Sequence, residues 1–437
     1  MILSNVRPWG ADPVDIVMAG SRIERMVPAG TAVPAGERVD GGGRLALPGF
    51  VNAHAHVDKS WWGRPWVSYR GEATTQGRIA HERAERDALG IPSVASTTAV
   101  LREFLRHGTT ATRTHVDVDL GVGLRGIETV RAAAAALDGA IEVEIVAFPQ
   151  DGVIRRPGVL ELLDRAAAAG VASIGGIDPA SIDRDPVAQL DGLFAIAERR
   201  GVGLDIHLHD GGELGGFQYE LIIDRTARAG LHGRVTISHG FALGELPPYR
   251  QEELLDRLGE AGISWATVAP VGSAPLPWRA MLDRGIAVGL GTDGIRDLWS
   301  PYGDGDLLRV ALGFARLHGL RTDEDLAARS SWPPAVRPGS CIGPGTTWSP
   351  APAPTSSCWT RRTSRTPWSA LRPGDWWSPA AGSSWRTASC SASGRPARGG
   401  TARSGVRSPA PRARRAARRA ARSGTPALPA GRRPTGR

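Results

Sequence analysis

Between residues 45 and 291 the chain alternates short apolar, β-branched runs with Ala-, Leu- and Arg-rich segments of helical spacing. The runs cover 45–53, 109–114, 141–148, 172–177, 203–208, 234–238, 264–269 and 286–291, and the intervening stretches include 100–106, 159–168, 186–200, 213–229, 252–261 and 280–284. Strands joined through helices lie parallel, because a parallel pair needs a long crossover. Eight such units within about 250 residues predict an α/β fold of the (β/α)8 barrel type. An open doubly wound sheet is the weaker alternative, since no Gly-rich phosphate fingerprint follows the first run. Residues 1–44, with Val14, Ile16, Val17 and Ile23 set among Gly and Pro, predict the N-terminal part of a small β-sandwich. The expected organisation is therefore 1–44, a barrel over 45–330, and a distinct tail over 331–437.

A barrel gathers its chemistry at the C-terminal ends of its strands. Here those ends carry His54 and His56, His115 and Asp117, Gln150, Asp178, His207 with His209 and Asp210, His239, and Asp293. Six of the chain's ten His fall at these positions, which surface placement does not explain. His54 and His56 are two apart, so on a strand both face one side. With His207 and Asp293 they offer three imidazoles and one carboxylate, an open catalytic metal site rather than a closed structural one. One divalent ion is expected, Zn(II) or Fe(II), because imidazole suits both and the fourth run has no Lys that could bridge two metals. Such an ion would acidify a water. Asp293 would bind the ion and accept the water's proton, and His239 would hydrogen-bond the nucleophile or polarise the group attacked.

The segments HAHVDK, THVDVD, VAFPQ, GGIDPA, DIHLHD, TISH and GTDGIRDLWSPYGDGD occur in that order, and together they resemble the amidohydrolase superfamily, in its cytosine deaminase branch. The likeness runs from about Ile2 to about Leu326. Within the branch, Lys after HxH, the HxHD pattern and the IRDxW…GxGD run look most like the s-triazine-degrading type. The resemblance implies His54, His56, His207 and Asp293 as metal ligands, His239 as catalytic and Gln150 as a contact to the substrate ring. It also implies a deaminase or aminohydrolase cleaving C–N bonds of a nitrogen heterocycle. Cytosine deaminases carry a Glu three residues after the strand-five His as proton shuttle; this chain has Asp210, one methylene shorter. That departure favours the triazine type and makes His209 the alternative shuttle. A cyclic amide hydrolase and an inactive truncated homologue are the competing readings.

Lys59 is the chain's only Lys against a background of Arg, so a role beside the site, orienting substrate or a ligand carboxylate, is expected. Trp61 and Trp62 follow it, to wall the pocket against a flat ring or to pack a loop. Asp178 joins the candidates for substrate binding, although a cap before Pro179 would account for it. Arg296 and Asp297 are expected to pair, and Asp306 to cap a helix.

The formal charge of +9 suggests nucleic-acid binding only until the chain is divided. Residues 331–437 hold 19 Arg, one Asp and neither Lys nor Glu, so the rest of the chain is net acidic. All three Cys (Cys341, Cys358, Cys390) lie in that tail, which excludes a Cys-based metal or disulfide framework for the body. The tail shows neither helical nor strand alternation. Back-translated with GC-rich codons and read one frame away, residues 354–360 give DLVVLD and residues 374–382 give RLVVAGG. A frameshift that removes the second half of the sandwich and leaves a disordered tail is therefore expected, with exposed edges and poor stability in the N-terminal strands. Nucleic-acid binding by the Arg run is not expected, because a shifted GC-rich frame produces such runs without selection. There is no apolar span for a bilayer and no signal-like start, so a cytoplasmic protein acting on a small heterocycle is expected, its homo-oligomeric state left open.

Overall fold

A computed structural model describes residues 1–20, 22–322 and 325. Its first four strands, β1 (Ile2–Pro8), β2 (Val14–Ala19), β3 (Arg22–Pro28) and β4 (Arg38–Ala46), form one sheet in the order β3-β2-β1-β4. β1 pairs antiparallel with β2 and parallel with β4. Ile2, Val6 and Val17 are buried, whereas Ile23, Met26 and Leu45 stay exposed, on β3 and β4 where the sheet ends among the described residues. The expected tail and its altered frame fall outside those residues.

The second sheet is parallel throughout. It comprises β5 (Phe50–His56), β6 (Thr109–Asp117), β7 (Glu142–Phe148), β8 (Ser173–Ile177), β9 (Gly203–Leu208), β10 (Val235–His239), β11 (Ser264–Thr267), β12 (Val288–Leu290) and β13 (Asp293–Gly294), in the order β12-β11-β10-β9-β8-β7-β6-β5-β13. Only Gly291 and Thr292 separate β12 from β13, so the two are one interrupted strand. β12 pairs with β11 and β13 with β5, and this shared eighth position closes a (β/α)8 barrel. The Asn52 amide clamps the break: its Nδ2 donates to Thr292 Oγ1 at 2.8 Å and its Oδ1 accepts from the Thr292 amide at 3.1 Å.

The first run departs from expectation. Residues 45–53 do not form one strand, because Pro48–Gly49 marks the crossing between the two sheets: β4 ends at Ala46 and β5 begins at Phe50. Of the expected helices, Val159–Ala168 and Pro186–Arg200 appear with the expected bounds, and others start earlier, such as Val94–Arg106, capped by the Ser93 hydroxyl. The helix Thr75–Glu85, capped by Thr74, was not anticipated.

Alternation sorts the barrel strands into two faces. On β9, Leu204, Ile206 and Leu208 face the helices and join the main apolar core, and on β10 Val235 and Ile237 do the same. The intervening positions, Asp205 and His207 on β9 and Thr236 and Ser238 on β10, are buried and polar. The barrel lumen is thus filled by hydrogen-bonded polar groups. Arg113 lies within it, donating to Glu144 Oε1 (2.6 Å), Asp205 Oδ2 (3.0 Å) and Thr236 Oγ1 (2.9 Å). No described helix is long and apolar enough to cross a membrane.

Candidate metal centre

Strand periodicity puts Asn52, His54 and His56 of β5 on the lumen face, and β9 adds His207. Asp293 arrives from β13, whose pairing with β5 sets Asp293 opposite Ala55. The result is a tight convergence of ligand atoms. His56 Nε2 is 3.4 Å from His207 Nε2 and 3.3 Å from Asp293 Oδ1, and His54 Nε2 is 3.6 Å from the same oxygen. A tetrahedral ion with ligand bonds near 2.0–2.1 Å separates its ligands by about 3.3–3.4 Å. These residues therefore fit a divalent cation. His54 Nε2 is buried with no hydrogen-bond partner, which in a protein interior is costly unless something else occupies the lone pair.

The electrostatics agree. Burial, then Lys59, pushes the His56 imidazole well below its ordinary range. Burial and neighbouring imidazoles do the same to His207 and His239. Burial opposes ionisation of Asp293, but contacts from His54 and His56 outweigh it and hold the carboxyl well below the usual range. Neutral imidazoles and an ionised carboxylate are the ligand forms a metal requires. The Asp293 side chain keeps 39% of its surface exposed while those of His54 and His56 keep 1% and 6%, so the cluster opens on the Asp293 side. The ligand atoms of His54, His56, His115 and His207 lie within 4.8 Å of one another, and so do those of His54, His239 and Asp293. His115 is pushed down to about 4 by burial, against the pull of Asp205.

Asp293 and His239 are both at positive φ, +60° and +68°. Few non-Gly residues occupy that region, and those that do concentrate at functional sites. At His239 it ends β10 and brings the ring to the same side as Ser238. The ring lies 4.8 Å from that of His54 and 4.4 Å from that of His209.

His209 is oriented by Asp178. The Asp178 carboxylate accepts from His209 Nδ1 at 2.8 Å, from the His209 amide at 2.5 Å and from the Asp210 amide at 3.3 Å. Burial lowers the His209 imidazolium, but Asp178 overrides it and the net shift is upward. Asp178 thus spends its carboxylate on the segment after β9. Asp210 accepts from Gln218 Nε2 at 3.0 Å.

Lys59 is buried beside the cluster. Its Nζ donates to Asp117 Oδ1 at 3.1 Å and to Gln150 Oε1, and lies 3.7 Å from Glu82 Oε2. Gln150 Nε2 donates to Glu82 at 2.6 Å, and Trp299 Nε1 donates to the same carboxylate. Burial lowers the Lys59 ammonium, yet Asp117, Glu82, Asp58 and Asp297 together raise it. Among those carboxyls, burial and Asp117 push Asp58 up to about 7, burial pushes Asp297 up to about 6, and burial raises Asp117 well above its ordinary value.

Trp62 is half-buried under the Arg296 guanidinium, 4.2 Å from its ring centre. This replaces the expected pairing of Arg296 with Asp297. Asp297 instead accepts from the Trp299 and Ser300 amides at 2.8 and 2.6 Å, because the loop after β13 turns back and needs its amides satisfied. Asp306 caps the helix Leu307–Leu317. Phe148 stacks on His207 with ring centres 4.1 Å apart; a side chain on Gly175 would press against Phe148.

Three participants were not among the expected residues. Glu82 comes from the unanticipated helix. Asp205 sits two residues before His207 and shares its face, a signal the alternation contained. Ser238 precedes His239, and nothing local marks it.

The amidohydrolase family model matches residues 92–331. An uncharacterised protein of Escherichia coli (strain K12), YahJ, is 35% identical over 295 residues, 67% of this chain and 64% of its own length. The N-isopropylammelide isopropyl amidohydrolase of Pseudomonas sp. (strain ADP) is 30% identical over 327 residues, 71% of this chain and 78% of its own. The crystal structure of N-isopropylammelide isopropylaminohydrolase from Burkholderia multivorans ATCC 17616 superimposes with TM-score 0.71 at 43% identity, covering 76% of this chain and 84% of that one. The chain belongs to the amidohydrolase family.

Proposed function

We propose that this chain is a metal-dependent hydrolase that removes an amino or alkylamino group from a nitrogen heterocycle of the cytosine or s-triazine kind. The observation that carries this reading is the convergence of His54, His56, His207 and Asp293 within 3.3–3.6 Å contacts on the open side of a barrel. We take the cofactor to be one Zn(II) or Fe(II). When bound, such an ion supplies the Lewis acidity that ionises a water near neutral pH.

The chain's own groups do the remainder. Asp293, exposed toward the mouth, takes the water's proton at a carboxylate oxygen. His239, held in a strained backbone position, hydrogen-bonds the nucleophile or polarises the group under attack. His209, fixed by Asp178, carries a proton toward the departing nitrogen, with Asp210 the other candidate for that transfer. Lys59 and Gln150 present a donor and an amide beside the centre for the edge of a polar ring, and Trp62 lines the approach. The relatives named for N-isopropylammelide support a triazine-type substrate.

The test uses the full chain. Bound metal is measured by elemental analysis, and ammonia or amine release is followed with cytosine, isoguanine and s-triazine amines. We expect about one ion per chain, activity lost on chelation and regained on adding Zn(II) or Fe(II). In His239→Asn we expect metal retained and turnover reduced about 10²–10⁴-fold. A metal-free folded protein, or unchanged turnover in His239→Asn, overturns the reading.

A further inference from the structure

We propose that Ser238 and Asp205 are positioning residues that fix His54 as its Nδ1–H tautomer and so hold its Nε2 lone pair free for a divalent cation. The inference rests on the hydrolase reading for the cation, but its structural part stands on hydrogen-bond direction alone. His54 Nδ1 lies 3.0 Å from Ser238 Oγ, and Ser238 Oγ donates to Asp205 Oδ1 at 2.6 Å. Arg113 Nη1 donates to the other oxygen, Asp205 Oδ2, at 3.0 Å. His54, Ser238 and Asp205 are each 0% exposed, so water does not substitute for any link.

The direction of the chain follows from counting protons. Arg113 is always charged and binds Asp205 as a carboxylate, which only accepts. A serine hydroxyl has one proton, and Asp205 takes it. Toward His54, Ser238 Oγ then has only lone pairs to offer, so the proton between them belongs to His54 Nδ1. A neutral imidazole has one N–H, and with it on Nδ1 the other nitrogen is bare. That nitrogen is the buried, unpartnered Nε2 facing Asp293. His115 Nε2, 3.2 Å from Asp205 Oδ1, is the other titratable group on this carboxylate; its ring also lies 4.3 Å from that of His54, but the hydroxyl at His54 Nδ1 is that of Ser238.

His56 and His207 have no such support, since their Nδ1 atoms are buried without a partner. The lock therefore acts on one imidazole of three, the one whose Nδ1 has a partner in the lumen. Ser238 and His54 are 184 residues apart, so the device exists only in the folded barrel.

The experiment uses metal-free full-length chain labelled with ¹⁵N in the histidine rings, the His54 signals being assigned by their loss in His54→Asn. Long-range ¹H–¹⁵N spectra report the tautomer, and chelator competition reports zinc affinity. We expect wild type to carry the His54 proton on Nδ1. Ser238→Ala should populate the Nε2–H form and bind zinc about 10–100-fold more weakly, and Ser238→Thr, which keeps the hydroxyl, should restore both. An Nε2–H tautomer in wild type overturns the proposal even if Ser238→Ala does not fold. So does Ser238→Ala with wild-type tautomer and zinc affinity. A wild type that binds no zinc sinks the hydrolase reading, while the tautomer measurement still decides this one.

Discussion

Lys59→Met removes the one ammonium among four buried carboxyls, and the cost should depend on pH in a predictable direction. The substitution keeps an unbranched side chain, one heavy atom shorter, and deletes the contacts to Asp117, Gln150 and Glu82. Breaking a buried ion pair while the acids stay ionised costs about 3–5 kcal/mol. If the acids take up protons instead, the loss falls to that of the hydrogen bonds, about 1–2 kcal/mol. Asp297, pushed up to about 6 by burial, shows which regime applies where. Its folded value lies above the unfolded one, so the folded state binds more protons and this group's stabilisation is complete below about pH 4. It is lost as pH rises through about 6, an amount near 3 kcal/mol from the two-unit gap. Lys59 is a factor that lowers the Asp297, Asp117 and Asp58 values. Deleting it extends the loss to higher pH, so the variant falls further behind wild type as the solution becomes basic. Urea unfolding followed by tryptophan fluorescence at pH 5, 6.5 and 8 measures this directly. We expect a deficit of about 1–2 kcal/mol at pH 5, growing to about 3–5 at pH 8. A deficit that does not change with pH, or a variant more stable than wild type at pH 8, refutes the reasoning.

Two further outcomes follow from the same geometry. A methyl group at Gly291 would overlap the backbone and Cβ of His54, so Gly291→Ala should cost about 1–3 kcal/mol by overpacking and lower metal content with it; wild-type stability together with wild-type metal content refutes this. In Asp178→Asn the charge that raises His209 is gone, so the His209 imidazolium should lose its proton at lower pH in an NMR titration, and the alkaline limb of the rate profile should move down with it; an unmoved titration refutes the assignment of Asp178 as its anchor.

The barrel was legible in the sequence because short apolar runs recur with helical segments between them, and within β5 and β9 polar positions alternate with apolar ones. The same alternation exposed His54, His56 and His207, since an imidazole on the inward side of a buried strand is cut off from water and must meet a partner there. The boundary at Pro48–Gly49 was not legible: a Pro-Gly pair inside an apolar run reads equally as an interruption within one strand or a passage between two sheets, and only the pairing of Phe50 with Thr109 decides it. Glu82 escaped because it lies on a helix within the long connection between β5 and β6, where no strand-end rule applies. Arg296 was misassigned because charge complementarity along the chain suggested Asp297, whereas the loop amides claimed that carboxylate and left the guanidinium to stack on Trp62. Partners such as Ser238 for His54 are set by closure of the barrel, and no local pattern encodes them.

Two groups of buried charges flank the histidines, one cation facing two carboxylates and one facing four, and their carboxyl shifts differ in direction. Beneath the histidines, Arg113 faces two carboxylates, Glu144 and Asp205, each within hydrogen-bond distance. Asp205 is held well below the ordinary range there, since His115 and Arg113 outweigh its burial. Arg113, raised by its carboxylate neighbours, and Asp205 keep their charges at moderate pH and with them their geometry, which suits a support under the histidines. Beside the histidines, Lys59 faces Asp117, Glu82, Asp58 and Asp297, and burial, with like-charged neighbours adding to it, raises Asp58, Asp117 and Asp297 there. Asp58, raised to about 7, and Asp297, raised to about 6, change charge near neutral pH. The heterocycle proposed as substrate presents ring nitrogens and exocyclic amines, so its edge would call for both donors and acceptors beside the fixed charge that a metal would call for. A rigid ion pair below the ligands and a protonatable cluster at their flank meet those two demands separately, and substitutions in the two groups should accordingly separate metal affinity from substrate binding.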